Sequence, residues 1–294
     1  MKPNQVWTFA LIAITAVWGW SFVAKQQSLH SNSASALNAF IFIIAAVALL
    51  PWAIKHLKSL SRRDWRAGVF AGLMLFIAFA FQTSGLAHTT PSNAGFIAGL
   101  SVVLTPCFLF LIGAERPKAK QVVGASTALC GLGFLSLQDY AIHYGDLLIL
   151  GCAVFFAIHI IVLSKIKFGS TSLVLAFIQL LTVGVLSLGW SLAAGEFSLP
   201  QDRSSLLTVL IIAVVGTAVA YLVQTRAQMV LPAQKVALLL VCEPIFSGYF
   251  GYLLAGDRFT SMNILGACLI VLGMIVSELR LPGLRRKVGV VAAD

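Results

Sequence analysis

Apolar runs close to 20 residues long recur from one end of this chain to the other, and no other feature limits its folding so sharply. Wound as an α-helix, a run of about 20 residues matches the hydrocarbon thickness of a bilayer. Lipid offers no hydrogen-bond partner, so a spanning segment has to satisfy its own backbone, as a helix does. The composition agrees. The 294 residues are 59% hydrophobic and 10% charged, with a mean hydropathy of +0.95, whereas soluble domains carry about 25% charged residues. The ten acids and twenty bases cannot coat a soluble globule of this size. The expected fold class is an all-α polytopic membrane protein. Ten transmembrane helices are placed at roughly 6–25, 34–54, 67–87, 92–113, 121–138, 147–164, 171–194, 205–225, 233–254 and 263–280.

The net charge of +10 does not imply nucleic acid as a partner, because the bases sit in short loops and the tail with no soluble domain to present them. They read as topology determinants. With the N-terminus inside, 17 of the 20 bases face the cytoplasm, including those of "KHLKSLSRRDWR" (55–66), "ERPKAK" (115–120) and "RRK" (285–287). Lys25, Arg203 and Arg258 remain outside. Both termini are therefore expected in the cytoplasm, with the chain multi-pass in the cell (inner or plasma) membrane. The start of the chain reads as a retained first span, since no small-residue cleavage site precedes Lys25. All five cysteines fall inside apolar runs and read as small packing residues without disulfides.

The second half echoes the first at an offset of 142 residues. Gln82–Thr83 recurs as Gln224–Thr225, "AERPKAKQVVGA" (114–125) matches "GDRFTSMNILGA" (256–267), and Gly131 matches Gly273. Each half holds five spans. Five is odd, so the halves are expected to be inverted relative to each other, an arrangement common in secondary transporters with a midplane site.

On "AVWGWSFV" (16–23), "PSNAGFIAGLSVVLTPCFLFLIGAERP" (91–117), "GDLLILGCAVFFAIHI" (145–160) and "ALLLVCEPIFSGYFGYLLAGDRF" (237–259), the chain resembles the drug/metabolite transporter superfamily, of the type with two EamA domains. The resemblance implies ten helices in two inverted five-helix repeats, at 1–138 and 145–280. An outer linker (139–144) would join them and a basic cytoplasmic tail (281–294) would follow. It also implies a central cavity lined by helices 1, 3, 4, 6, 8 and 9, and transport of small metabolites, commonly export. One departure is Asp257, where the family usually has Glu.

Polar residues inside the spans are the candidate site. A charge at a helix centre costs about 2.5–3.5 kcal/mol on insertion scales and marks a cavity or a partner. Glu243, in "LLLVCEPIF", is the sharpest case. It reads as a proton-coupling carboxylate or a counter-charge for a substrate amine, or else as a structural residue at a kink set by Pro244. Lys235 lies about 12 Å along the same helix and reads as a guard of the inner mouth or a snorkelling, topology-setting lysine. His159 is either a cavity residue or a satisfied packing residue. Gln82 and Gln224 offer amides to substrate or to neighbouring helices. Asn93, with Ser101 and Thr105, can share part of one face of the fourth span, and Ser21 is a similar candidate on the first. Trp18 and Trp20 lie within the first span, as packing residues or a cavity wall. Gly68–Gly72 and Gly95–Gly99 read as close-packing surfaces.

No His/Cys/carboxylate set has metal-ligand spacing, so neither a metal nor another cofactor is expected. A Walker-A pattern is missing too, so ATP is not the direct energy source. An intramembrane enzyme would need convergent catalytic groups that this inventory lacks. The reading is a secondary transporter of small organic metabolites, an exporter of amino acids or related compounds, with protons as the candidate coupling ion. Export of lipophilic cations and uncoupled facilitation stand as alternatives.

Overall fold

The computed structural model describes residues 3–113, 117–136, 143–165, 169, 171–199, 203–231, 236 and 239–278. Its regular elements are α1 (Pro3–Ser28), α2 (Ala34–Leu57), α3 (Arg62–Leu86), and α4, which is Pro91–Gly99 and Ser101–Leu111 bent at Leu100. Then come α5 (Ala119–Ser136), α6 (Tyr144–Lys165) and α7 (Ser172–Ala193). In α8, Arg203–Ile211 passes through a π-helical stretch, Ile212–Val219, into Ala220–Val230. In α9, Cys242–Phe250 ends in a π-helical turn, Gly251–Ala255, and α10 is Ser261–Glu278. Eight of the described helices are long and apolar enough to cross a bilayer, while α5 is shorter and the unbroken described part of α9 starts at Cys242. This is the expected ten-helix membrane architecture.

Turn chemistry sets the helix starts. Ser33 caps α2 by accepting the Ala36 N–H at 3.1 Å. Ser61 and Asp64 form a reciprocal capping box on α3, and the Gly169 N–H also donates to Asp64, at 2.9 Å. Thr90 caps α4, whose first position is Pro91.

Helices in lipid gain little by hiding apolar surface from one another, so association depends on close packing and interhelical hydrogen bonds. Glycines supply the close approach. On α3, Gly68 meets Ile178 and Gly72 meets Thr182 of α7, and on α4, Gly95 meets Ser247 of α9. Between α5 and α10, a Cβ on Gly124 would lie 2.5 Å from the Gly273 carbonyl oxygen, and one on Gly131 would lie 2.6 Å from that of Gly266. Numbers rise along α5 as they fall along α10, so the two helices run antiparallel. Each contact is also the other's counterpart at the 142-residue offset.

Two large apolar cores result, besides a smaller one around Leu11, Ala227, Leu231 and Val236. One joins α2, α3, α7 and α8 around Ile41, Phe42, Leu75, Leu180 and Ile212. The other joins α1, α4, α5, α6 and α10 around Phe22, Ile97, Leu135, Ile149 and Ile270. At one end, two carboxylates tie the halves together. Thr89 donates to Asp146, and both the backbone N–H and the hydroxyl of Ser92 donate to Asp257. Asp257 is buried. Asp257→Ala would leave two donors unsatisfied, at about 1–3 kcal/mol. The expected result is a lower Tm in detergent, with Asp257→Glu, the family's usual residue, retaining most of the stability.

One expectation is corrected. Lys25 is not a loop residue. The first helix runs on to Ser28, and Lys25 lies inside it at 6% exposure.

Candidate functional site

Residues two apart on α1 enter different cores, Phe22 into one and Ala24 into the other. Lys25 follows at the seam between them. Its Nζ donates to Gln82 Oε1 at 3.0 Å and sits 4.9 Å from the centre of the Phe79 ring. Phe79 and Gln82 are three apart on α3 and so share a face. Phe79 is held in turn by Phe42 (4.6 Å between ring centres) and by Phe156 of α6 (5.3 Å, nearly perpendicular). The lysine is thus fixed by one amide and one aromatic face. An ammonium over a ring gains more the drier the site.

Glu243 is the charge of opposite sign. It occupies the first turn of the described part of α9 and is half-buried. Pro244 falls in the same turn, just after the break at Val241 that separates the helical residues 239–240 from Cys242–Phe250. Glu243 and Lys25 act on each other electrostatically, yet no direct ion pair joins them among the described contacts. Cys152 (α6) is buried in the second core, and Tyr221 (α8) packs against the first.

Backbone geometry places this cluster. Gly19 of α1 lies directly against Phe246 and Ser247 of α9, where any Cβ would come within 2.6 Å of Phe246 Cβ. That contact brings the Glu243 turn beside α1. Across from it, the Trp18 indole N–H donates to the Gly216 carbonyl at 2.7 Å, inside the π-helical stretch of α8. Such stretches frequently mark functional sites. The Trp18 ring meets Tyr221 edge-on, 6.4 Å between centres.

The sequence candidates separate. Gln82, Glu243 and Trp18 belong to this cluster or its wall. Trp20 packs partly buried against the first core. The Ser21 hydroxyl donates to the Trp18 carbonyl within its own helix. Gln224 is half-buried one turn beyond Tyr221 on α8. Asn93 is half-buried in the first turn of α4, and the Thr105 hydroxyl donates to the Ser101 carbonyl. His159 is buried and bonds Gln179 of α7 at 2.6 Å, which joins α6 to α7 away from the charged pair. Lys235 lies outside the described residues. The residues that sequence reasoning missed are Lys25, Phe79 and Tyr221.

Two grooves are present besides the cluster. The larger, about 560 Å³, is lined by apolar and aromatic residues such as Phe96, Tyr249, Tyr252 and Val271. A smaller one of about 290 Å³ lies among Phe76, Phe81, Tyr144 and Trp190. Neither is lined by Lys25 or Glu243. Tyr249 and Tyr252 are more than half exposed, as on a face that meets lipid.

The chain matches the EamA-like transporter family twice, over residues 5–137 and 143–279. It is 32% identical to an uncharacterized transporter of Archaeoglobus fulgidus over 92% of this chain and 84% of that one. A second uncharacterized transporter of the same organism is 21% identical, over 92% and 96% of the two chains. A solved structure described as "Crystal structure of protein" superposes with a TM-score of 0.65 at 22% identity, covering 90% of this chain and 94% of its own. At that identity the likeness carries the fold alone.

Proposed function

This chain belongs to the EamA-like transporter family, and on that premise we propose that it is a secondary transporter of small organic metabolites, exporting amino acids or related compounds by alternating access. Its relatives are transporters and not enzymes, and a multi-pass membrane protein of this kind meets its substrate within the bilayer. The observation that carries the finer reading is the charged seam. Lys25 and Gln82 come from one half of the sequence and Glu243 from the other. Charges inside a membrane are expensive and mark substrate or ion pathways.

The proposed domains are the two five-helix halves, 1–138 and 145–280, inverted in the membrane with both termini cytoplasmic. The antiparallel α5–α10 contact supports the inversion. Gly124 meets Gly273 while their repeat mates, Gly266 and Gly131, meet each other. This is the reciprocal pattern of a two-fold axis, and one perpendicular to the helices turns one half upside down. Two such halves can exchange conformations and so open the seam to either side.

In this reading Glu243 is the coupling or amine-binding group, Gln82 positions charge, and Trp18 with Tyr221 forms a wall. Lys25 counts against the lipophilic-cation alternative, since a fixed ammonium repels such a ligand. Reconstituted into liposomes, the wild type is expected to accumulate its substrate against a gradient when a pH difference is imposed. Glu243→Gln should lose that accumulation while retaining counterflow. Undiminished driven transport in the variant would remove the coupling role.

A further inference from the structure

We propose that the larger groove, between α9 and α10, is a binding site for one anionic phospholipid, with an acyl chain in the groove and the headgroup phosphate on Arg258. This site stands apart from the charged seam and does not depend on the transported substrate.

Three observations carry it. The first is depth. The groove measures about 560 Å³, and no charged residue lines it among those described. Phe259, in the turn between α9 and α10, lines it at the membrane surface, while Ile245 and Leu272 are the lining residues furthest along each helix from that turn. Leu272 lies 11 residues beyond Ser261, the first residue of α10, which is about 16 Å of helical rise. A hydrocarbon core is roughly 30 Å thick, so the groove runs from the surface to the midplane and occupies one leaflet. An acyl chain has that reach, whereas a spanning partner helix would use both leaflets.

The second is shape. Gly248 and Ala267 are small and buried, and a Cβ on Gly248 would lie 2.9 Å from the Phe96 ring. They form a floor, and the exposed side chains of Tyr249, Tyr252 and Leu272 stand beside it as walls. Tyr252 stacks on Phe259, 6.2 Å between ring centres, at the end nearest the turn. Tyrosine is enriched where hydrocarbon meets headgroups, so this end is the headgroup end.

The third is charge. Arg258 follows buried Asp257 in the same turn and is exposed. Asp257 already accepts from the backbone N–H and the hydroxyl of Ser92, and Arg258 has no ion pair among the described residues. A guanidinium presents a fork of donors that matches phosphate oxygens, and bases at a membrane surface attract anionic lipid. A second copy suits this face less well. A two-fold contact across it, with its axis along the membrane normal, would set both Arg258 side chains at one depth, and like charges brought together repel.

The test uses the full chain, purified in detergent, stripped of lipid and incubated with equal amounts of phosphatidylglycerol and phosphatidylcholine bearing the same acyl chains. Native mass spectrometry reads which lipid is retained. The wild type should retain phosphatidylglycerol about tenfold over phosphatidylcholine, one charge-assisted contact being the difference. Arg258→Gln should bring the two lipids level, and Arg258→Lys should keep part of the preference. Arg203→Gln, at another exposed base, should leave the ratio unchanged. Cys268→Trp, at an exposed position in the groove, should lower retention of both lipids about tenfold, because the indole fills the space. Inorganic phosphate should displace neither. If Cys268→Trp does not yield folded protein, the ratios in Arg258→Gln and Arg203→Gln decide.

Equal retention of the two lipids by the wild type overturns the proposal. So does a preference that survives Arg258→Gln, or one that falls equally in Arg203→Gln and is therefore a general effect of basic surface charge. Retention unaltered by Cys268→Trp, or lipid displaced by inorganic phosphate, would take the acyl chain out of the groove and overturn it as well. A dimer that persists without lipid and dissociates in Cys268→Trp would make this face an interface between copies instead.

Discussion

Gly273→Val is expected to prevent α5 and α10 from packing, and the protein should be recovered as aggregate. At this crossing a Cβ on Gly273 would stand 2.4 Å from the Gly124 carbonyl oxygen and 2.7 Å from the Ala128 backbone nitrogen. Those atoms are backbone, so no rotamer change relieves the overlap and the helices must move apart. Overpacking in a well-filled interior costs about 1–3 kcal/mol and more when the backbone has to shift. Here the cost also removes the contact through which the two helices approach. Gly124→Val, the reciprocal substitution, should fail in the same way. Leu272→Val, on a neighbouring side chain that is 51% exposed, should behave as wild type in gel filtration and thermal unfolding. If Gly273→Val remained monodisperse with an unchanged Tm, the close α5–α10 contact would be wrong.

The glycines show what the sequence carries and what it does not. The 142-residue offset aligned Gly124 with Gly266 and Gly131 with Gly273, because duplicated halves keep their spacing. That each would meet the mate of the other is a property of the axis between the halves, and no single-chain pattern encodes it. The spans themselves were plain, since a bilayer fixes their length and excludes charge. The second, expected at 34–54, is Ala34–Leu57, and the seventh, expected at 171–194, is Ser172–Ala193. The π-helical stretch was not visible. "IAVVGTAV" is apolar at every position but Thr217, so no periodicity exists there for a change of pitch to disturb.

The candidate site was half legible. Glu243 and Gln82 stood out because each is polar within an apolar run. Lys25 did not, because its run ends beside it in "AKQQS" and a base at a span's end has an ordinary explanation as a topology signal. The helix continues for three more residues, and the partners that hold Lys25 are 54 and 57 residues away, on α3. A signal was nonetheless available. A carboxylate inside a span calls for an opposite charge, and Lys25 is the base that abuts the first span's interior. Cys152, read as a small packing residue, is buried within the second core.

The opposed charges predict a non-additive response to their removal. Glu243→Gln should destabilise the protein by about 1–3 kcal/mol, because the buried ammonium of Lys25 loses its counter-charge while keeping only Gln82 and Phe79. Lys25→Met should also destabilise, by less, since half-buried Glu243 retains access to water. The double variant removes both charges and leaves neither uncompensated, so its loss should be smaller than the sum of the two single losses by about 0.5–3 kcal/mol, the range found for residues that interact. Replacing an internal ion pair by apolar or neutral groups is often tolerated even where breaking it is not. Thermal or denaturant unfolding of all four proteins at one pH measures the coupling. Strict additivity would mean that the two groups do not sense each other in the folded state. A positive coupling together with loss of substrate binding in all three variants would mark Lys25 and Glu243 as a pair kept for its ligand, because the doubly neutral protein would be close to the wild type in stability and still unable to hold a charged guest.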